Sequence, residues 1–273
     1  MPELPEVETI ARGLDKRVAG DVIESVWIGN KSNLLKSPAP LIAKTLEGAR
    51  IEHFRRVGKH IVGDLSEPGK LTKPRAQWII HLGMTGRMTV CQPEDETAKH
   101  THLVASLKSG RELRFIDPRR FGKLQVVAAS SFEAPGKEPI GADREQFTQL
   151  FKGRKTPIKS ALLNQSLLSG IGNIYADESL FRAGIRPRRR AASLTRANLM
   201  RLYDAIQEVL AEAIAAGGSS VSDYVDASGE EGFFQLQHRV YQREGEPCLV
   251  CGTPIKRIVL GGRSSHYCPS CQK

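Results

Sequence analysis

The chain begins Met1-Pro2-Glu3, and those residue types can do chemistry at the terminus itself. Removal of Met1, usual before a small residue, frees the secondary amine of Pro2. An α-amino group has an ordinary pKa of about 7.7–8.0, so a good share of it is unprotonated near neutral pH. A secondary amine condenses with a masked sugar aldehyde to an iminium ion, an electron sink that eases loss of a neighbouring proton. Glu3, the next residue, is placed to protonate a ring oxygen or a leaving group. Proline near a terminus also serves as a plain first residue of a helix, and from these residues alone both readings stand. The other end carries a second constellation, Cys248-x2-Cys251-x16-Cys268-x2-Cys271. That spacing predicts one tetrahedral zinc held by two knuckles, with no open coordination position and hence a structural role. Between the pairs lie Lys256, Arg257 and Arg263 among apolar Ile255, Ile258, Val259 and Leu260, a pattern for a metal-tied hairpin with Arg263 at its tip.

The elements that must position these groups follow from periodicity. Val7, Ile10, Leu14 and Val18 recur at helical spacing after Pro5, and Gly20 is a natural stop. The amine then lies just ahead of a helix N-terminus, whose dipole disfavours its protonation and favours Glu3 and Glu6 as carboxylates. Short strands with turn punctuation are expected at 22–28, 50–56, 59–65, 77–83, 86–91, 102–107, 111–116 and 123–129, with a tight turn at Ser109-Gly110. Eight such strands suggest an antiparallel sandwich or a flattened barrel. Ser66 to Arg75 reads as an exposed loop.

A change to Pro, Gly and charge around 131–141 marks a domain boundary, and helical patterns follow at 143–151, 158–165, 174–183 and 194–215, the last capped by Ser193 or Thr195. The second and third are joined by Leu168-Ser169-Gly170-Ile171-Gly172-Asn173. Exposed amides at such a turn suit a phosphate, although an ordinary helical hairpin fits as well. Lys152, Arg154, Lys155 and Lys159 precede it, and Arg186, Arg188, Arg189, Arg190, Arg196 and Arg201 follow. The acidic, glycine-containing stretch 219–234 reads as a mobile lid over a neutral group.

Across 273 residues, 40 Lys+Arg against 30 Asp+Glu leave a formal charge of +10, which points to a polyanionic partner, most often nucleic acid. No run approaches the length of a membrane span and no signal peptide is visible, so a soluble cytoplasmic protein is expected, with no membrane partner. Crowding of four of the five cysteines into the tail favours metal over disulfides, and Cys91 reads as a core or strand residue.

Taken together, Pro-Glu-Leu-Pro-Glu-Val-Glu-Thr at 2–9, His-Leu-Gly-Met-Thr-Gly at 81–86, Asp-Pro-Arg-Arg-Phe-Gly at 117–122, Gly-Ile-Gly-Asn-Ile-Tyr-Ala-Asp-Glu at 170–178 and the zinc tail closely resemble bacterial formamidopyrimidine-DNA glycosylases. The matches run in family order from residue 2 to the C-terminus. The resemblance implies an α+β protein: an N-terminal antiparallel β-sandwich with a flanking helix over 2–132, a linker at 133–141, a helix–two-turn–helix domain with a lesion-covering loop over 142–235, and a four-cysteine zinc finger over 236–273. It implies a bacterial, monomeric enzyme of base-excision repair. Such an enzyme excises oxidised purines, 8-oxoguanine and formamidopyrimidines, from double-stranded DNA and cleaves the strand at abasic sites. Pro2 falls on the family's nucleophile, Glu3 on its proton donor, Lys59 on the lysine assisting β-elimination and Arg263 on the arginine assisting δ-elimination. His100, Arg119, Arg154 and Asn173 fall on DNA contacts, and Lys159 on a lysine of damaged-purine recognition. Met84, Arg119 and Phe121 fall on the residues that fill the gap left by an extruded nucleotide, as befits a base that must leave the stack to be reached. The endonuclease-eight branch, which prefers oxidised pyrimidines, shares the proline, glutamate and zinc finger, but Met84 with Arg119 and Phe121 favours the purine branch. A non-catalytic DNA-binding zinc protein accounts for the charge, the turn and the metal while leaving the N-terminus unexplained. Two departures stand out: residues 66–76 are longer than usual, and Gln242 replaces the more common glycine after Tyr241.

Overall fold

The computed structural model describes residues 1–67, 75–220 and 224–273. The long loop at 66–76 and the lid at 219–234 therefore lie partly outside the described residues. The chain forms two compact units, Met1–Glu133 with Gly217–Gly232, and Ala134–Ala216 with Phe233–Lys273.

In the first unit, helix α1 (Leu4–Val18) begins with a capping box: the Glu3 side chain accepts from the backbone of Glu6, and the Glu6 side chain accepts from that of Glu3. Pro5 sits in the first turn, where its missing N–H costs nothing. The helix buries Leu4, Val7, Ile10, Ala11, Leu14 and Val18. All eight expected strands form: β1 (Ile23–Ile28), β2 (Arg50–Val57), β3 (His60–Ser66), β4 (Ala76–His81), β5 (Arg87–Cys91), β6 (Thr101–Leu107), β7 (Glu112–Ile116) and β8 (Lys123–Ala128). They build two four-stranded antiparallel sheets, ordered β1-β6-β7-β5 and β2-β3-β4-β8. One apolar core lies between them: Trp78, Ile80, Leu124 and Val126 from one sheet meet Met88, Leu103, Leu113 and Phe115 from the other, with the inner face of α1. Tyr224 and Ala227 enter the same core, so the segment read as a loop of the helical domain packs with the sheets. Helix α2 (Ala39–Leu46) was not expected, because Pro38-Ala39-Pro40 has the look of a turn. Both prolines fall at or ahead of the first helical turn, where they are tolerated, and Ile42 and Leu46 anchor the helix to the core.

The second unit holds α3 (Arg144–Gln149), α4 (Ile158–Leu162), α5 (Asn173–Arg182), α6 (Arg196–Ala215) and the hairpin β9 (Lys256–Leu260) and β10 (Arg263–Tyr267). Thr195 is the cap of α6, accepting from Asn198 N while the Asn198 side chain accepts from Thr195 N. Helix α4 ends earlier than expected because Gln165 is used otherwise: its amide donates to Ile171 O at 2.8 Å and accepts from Gly170 N at 3.0 Å, shaping the glycine turn. Gln242, the glycine replacement, has φ +58. A left-handed side chain costs about 1–2 kcal/mol, which accounts for glycine being the commoner choice there. No helix among the described residues is long and apolar enough to cross a membrane.

Candidate active site and nucleic-acid interface

Pro2 and Glu3 are both buried at the N-terminal end of α1, while Met1 is exposed. The group that organises this end is Glu6, which sequence reading noted only as a helix-start acid. One Glu6 oxygen accepts from Glu3 N and the other from Ser219 N, each at 2.8 Å. A single buried carboxylate thus joins the Pro2-Glu3 backbone to the segment after Gly217-Gly218. Tyr224 closes the same corner, donating its hydroxyl to Gly217 O at 3.0 Å. Burial, with the Glu6 charge second, pushes its phenol well above the usual range, so it stays a neutral donor. Lys59 is nearly enclosed, in the turn between β2 and β3. That turn is tied to α1 through Arg56, whose guanidinium meets Glu8 at 2.8 Å and Gly58 O at 3.0 Å.

Next to Lys59, the rings of His60 and His81 lie 4.9 Å apart, and Phe132 packs on His60 at 4.9 Å. Burial, then the His81 and Lys36 charges, lowers His60 from 6.5 to about 4; burial and the cations of Lys36, Lys59 and Lys123 lower His81. Both imidazoles are neutral at physiological pH. A histidine with a depressed folded pKa binds fewer protons folded than unfolded, so its contribution is whole above 6.5 and is lost as pH falls towards 4. The melting temperature should therefore drop across that window, and His60→Phe should make the drop shallower in a pH series of thermal melts. It should not abolish it, because His81 and His238 shift in the same sense. An unchanged slope would mean that His60 is not held neutral by the fold.

The motifs at 81–86 and 117–122 form one platform around Asp117, a wholly buried carboxylate that sequence reading left without a role. Asp117 accepts from the Thr85 hydroxyl at 2.6 Å and from Gly122 N at 2.8 Å; its N–H donates to His100 O at 3.0 Å. Gly83 has φ +66, and a Cβ there would stand 2.5 Å from the Phe121 carbonyl carbon, so glycine is what lets the two loops meet. On this base stand Met84, 39% exposed, and Phe121, 50% exposed, with the Arg119 guanidinium 5.0 Å from the centre of the Phe121 ring. Apolar side chains held out by a buried polar anchor fit insertion into a base stack. His100 is exposed, its backbone carbonyl held by the Asp117 N–H.

In the second unit Arg154 is exposed, its Nε bonded to Leu150 O. Gly170 takes φ +103 and Gly172 precedes Asn173, the first residue of α5. Arg263 is exposed where β10 begins, after Gly261 and Gly262 at φ +54 and +74, a two-residue turn that presents it as expected. Two expectations need correction. Lys159 is fully enclosed and paired with Asp177, so it offers nothing to a duplex at the surface. The basic cluster also divides by role: Arg186 holds the tail through Gln272 O and Pro269 O, both at 2.8 Å, and Arg196 pairs with Glu145, while Arg188, Arg190 and Arg201 face solvent.

The four tail sulfurs lie within 4.8 Å of one another. The Cys248–Cys271 and Cys251–Cys268 separations are 3.9 and 3.5 Å, against the ~3.8 Å edge of a tetrahedron with ~2.3 Å zinc–sulfur bonds. Backbone N–H groups of Val250 and Cys271 point at Cys248 and Cys268 sulfurs, as befits thiolates. Donor set and size both fit one structural zinc.

The model of the formamidopyrimidine-DNA glycosylase N-terminal domain matches residues 1–124, that of the same family's H2TH domain residues 135–225, and that of a zinc finger found in FPG and IleRS residues 245–273. A formamidopyrimidine-DNA glycosylase of Solibacter usitatus is 48% identical over 279 residues, covering the whole of both chains. The chain belongs to the formamidopyrimidine-DNA glycosylase family. The similarity extends to solved structures. The MutM (FPG) protein of Thermus thermophilus is 40% identical, with a TM-score of 0.86 over 99% of this chain and 98% of that one. A Lactococcus lactis FPG variant in complex with Fapy-dG-containing DNA is 31% identical, with a TM-score of 0.90 over both full chains. Membership places the chain among the DNA glycosylases, with an α+β fold and a zinc finger.

Proposed function

We propose that the protein is a bifunctional glycosylase and abasic-site lyase that removes oxidised purines from duplex DNA through its N-terminal proline. The observation that carries this reading is the buried Pro2-Glu3 pair, held at the start of α1 by Glu6. With Met1 removed, the neutral Pro2 nitrogen attacks C1′ of an extruded nucleotide, the bond from C1′ to the damaged base breaks, and the proton shed by the Pro2 nitrogen goes to the departing base. Glu3 donates a proton to the ring oxygen, the sugar opens, and the C1′–N bond becomes an iminium. Loss of a C2′ proton expels the 3′ phosphate, and a second elimination expels the 5′ phosphate. Hydrolysis then frees Pro2 and leaves a one-nucleotide gap with phosphate at both ends. Met84, Arg119 and Phe121 occupy the vacated stack; His100, Arg154, Asn173 and Arg263 contact the backbone. The protein acts as a cytoplasmic monomer on this reading.

Borohydride trapping on 8-oxoguanine duplex, with the adduct mapped by peptide mass spectrometry, tests the proposal. An adduct on the Pro2 peptide is expected; an adduct on a lysine peptide, or an unprocessed Met1, overturns it. Oxidised-pyrimidine duplex run in parallel separates the purine from the pyrimidine preference.

Lys59 is assigned to proton transfer near the sugar. Lys59→Ala should leave lesion affinity within about threefold while slowing cleavage of a preformed abasic site by at least about a hundredfold, the lower edge of what a positioned general acid–base contributes. Base excision should suffer less than cleavage. A loss of affinity for every duplex in proportion to the loss of cleavage would make Lys59 a phosphate contact instead.

A further inference from the structure

Lys159 and Asp177 form an ion pair in which neither side chain has any exposed surface, with Nζ 2.7 Å from Oδ1. Nζ also donates to Ser264 O at 2.5 Å. Asp177 Oδ2 accepts from His266 N at 2.9 Å. Helices α4 and α5 and strand β10 therefore meet at one buried charge pair. Ser264 is held twice, since its hydroxyl also accepts from the Asn173 side chain at 3.3 Å. Arg263 immediately precedes Ser264, and α4 runs close to the turn ahead of it: a Cβ on Gly261 would lie 3.5 Å from Ser160 Oγ. The zinc cysteines fix the shape of the tail itself, whereas this node fixes the hairpin against the helices.

We propose that Lys159 is a positioning residue that holds Arg263 in register with Asn173 and takes no part in reading the damaged base. This rests on the reading of Arg263 and Asn173 as phosphate contacts. A buried ion pair adds little net stability for its desolvation, but removing one partner leaves an uncompensated charge, so it specifies an arrangement strongly. A group with no exposed surface touches no base; through Ser264 it touches the neighbours of two that meet phosphate.

The test is a double-mutant cycle on zinc-loaded full-length protein, measuring Kd for 8-oxoguanine, tetrahydrofuran-abasic and undamaged duplexes over a salt series. Lys159→Met should raise all three Kd values by about tenfold, keep their ratios, and make the salt slope shallower by about one unit, the signature of a lost phosphate contact. In an Arg263→Ala background the same change should cost less than about twofold more, because the residue it positions is already gone. If the Met variant fails to fold, Lys159→Arg serves: it keeps the charge but cannot place donors identically on Asp177 and Ser264, and should show the same non-additivity at about threefold. A loss confined to the 8-oxoguanine duplex, or additivity with Arg263→Ala, overturns the proposal. Arg263→Ala alone leaving every Kd and salt slope unchanged overturns the phosphate reading, and the positioning role with it.

Discussion

Cys268→Ser protein should lose incision of every substrate duplex while its first unit keeps a cooperative melt. The zinc module has almost no core of its own: Val240, Cys248, Ile255 and Cys268, with Phe181 and Cys271 against them. Two of those four are metal ligands, so once the site is broken the remaining apolar burial is too small to order the tail. Structural zinc in comparable small modules supplies apparent binding free energies of about 10–16 kcal/mol, which is folding free energy for the segment that carries the ligands. Arg263 then sits on a loose chain and must lose backbone and rotamer freedom on binding, at about 1–2 kcal/mol for each residue ordered. The first unit keeps its shape because its sheets and α1 share a core that includes no residue of the tail. Zinc release measured with a chromogenic chelator, beside incision and DNA affinity, checks this. Full incision by zinc-free protein would show that the hairpin folds without metal.

What could be read from the sequence was what is local in it. Cys248, Cys251, Cys268 and Cys271 announce a metal site by spacing alone, and the eight strands announce themselves by alternation and turns. The opening helix is legible because Pro5 and Gly20 punctuate it. Residues whose roles depend on distant partners were not legible. Glu6 reads as an ordinary first-turn acid until Ser219, more than two hundred residues away, is found donating to it. Lys159 reads as part of a basic flank, and only the packing of α5 and β10 reveals it as interior. Arg186 likewise belongs by composition to a phosphate-binding cluster and by contact to the zinc tail. Helix α2 was hidden for a different reason, since two prolines in three residues suggest a turn unless the helix starts between them.

Asp117 shows the same limit most sharply, and removing it should have the larger effect within the first unit. It stands in a motif noticed for its arginines and phenylalanine, yet it is the group on which they rest. Asp117→Ala strips acceptors from the Thr85 hydroxyl and from Gly122 N in a site closed to water. Each orphaned buried donor costs about 1–3 kcal/mol, so a loss of roughly 3–5 kcal/mol is expected with the cavity included, a severe change for a single residue. Asp117→Asn should be far milder. Its carbonyl can take Gly122 N, and its amide can donate to the Thr85 oxygen once that hydroxyl turns. The functional loss should follow the platform and spare the chemistry. Extrusion of a paired base costs a few kcal/mol, least where the base is already missing. With Met84, Arg119 and Phe121 no longer held in place, excision from a fully paired 8-oxoguanine duplex should fall about a hundredfold, the equivalent of losing a stack-filling contribution of about 2.7 kcal/mol. Cleavage at a preformed abasic site should fall far less. Single-turnover rates on the two duplexes, taken below the melting temperature of the variant, give that ratio directly. Equal losses on both would mean that Asp117 supports the active centre as a whole and that the extruded base is replaced by other means.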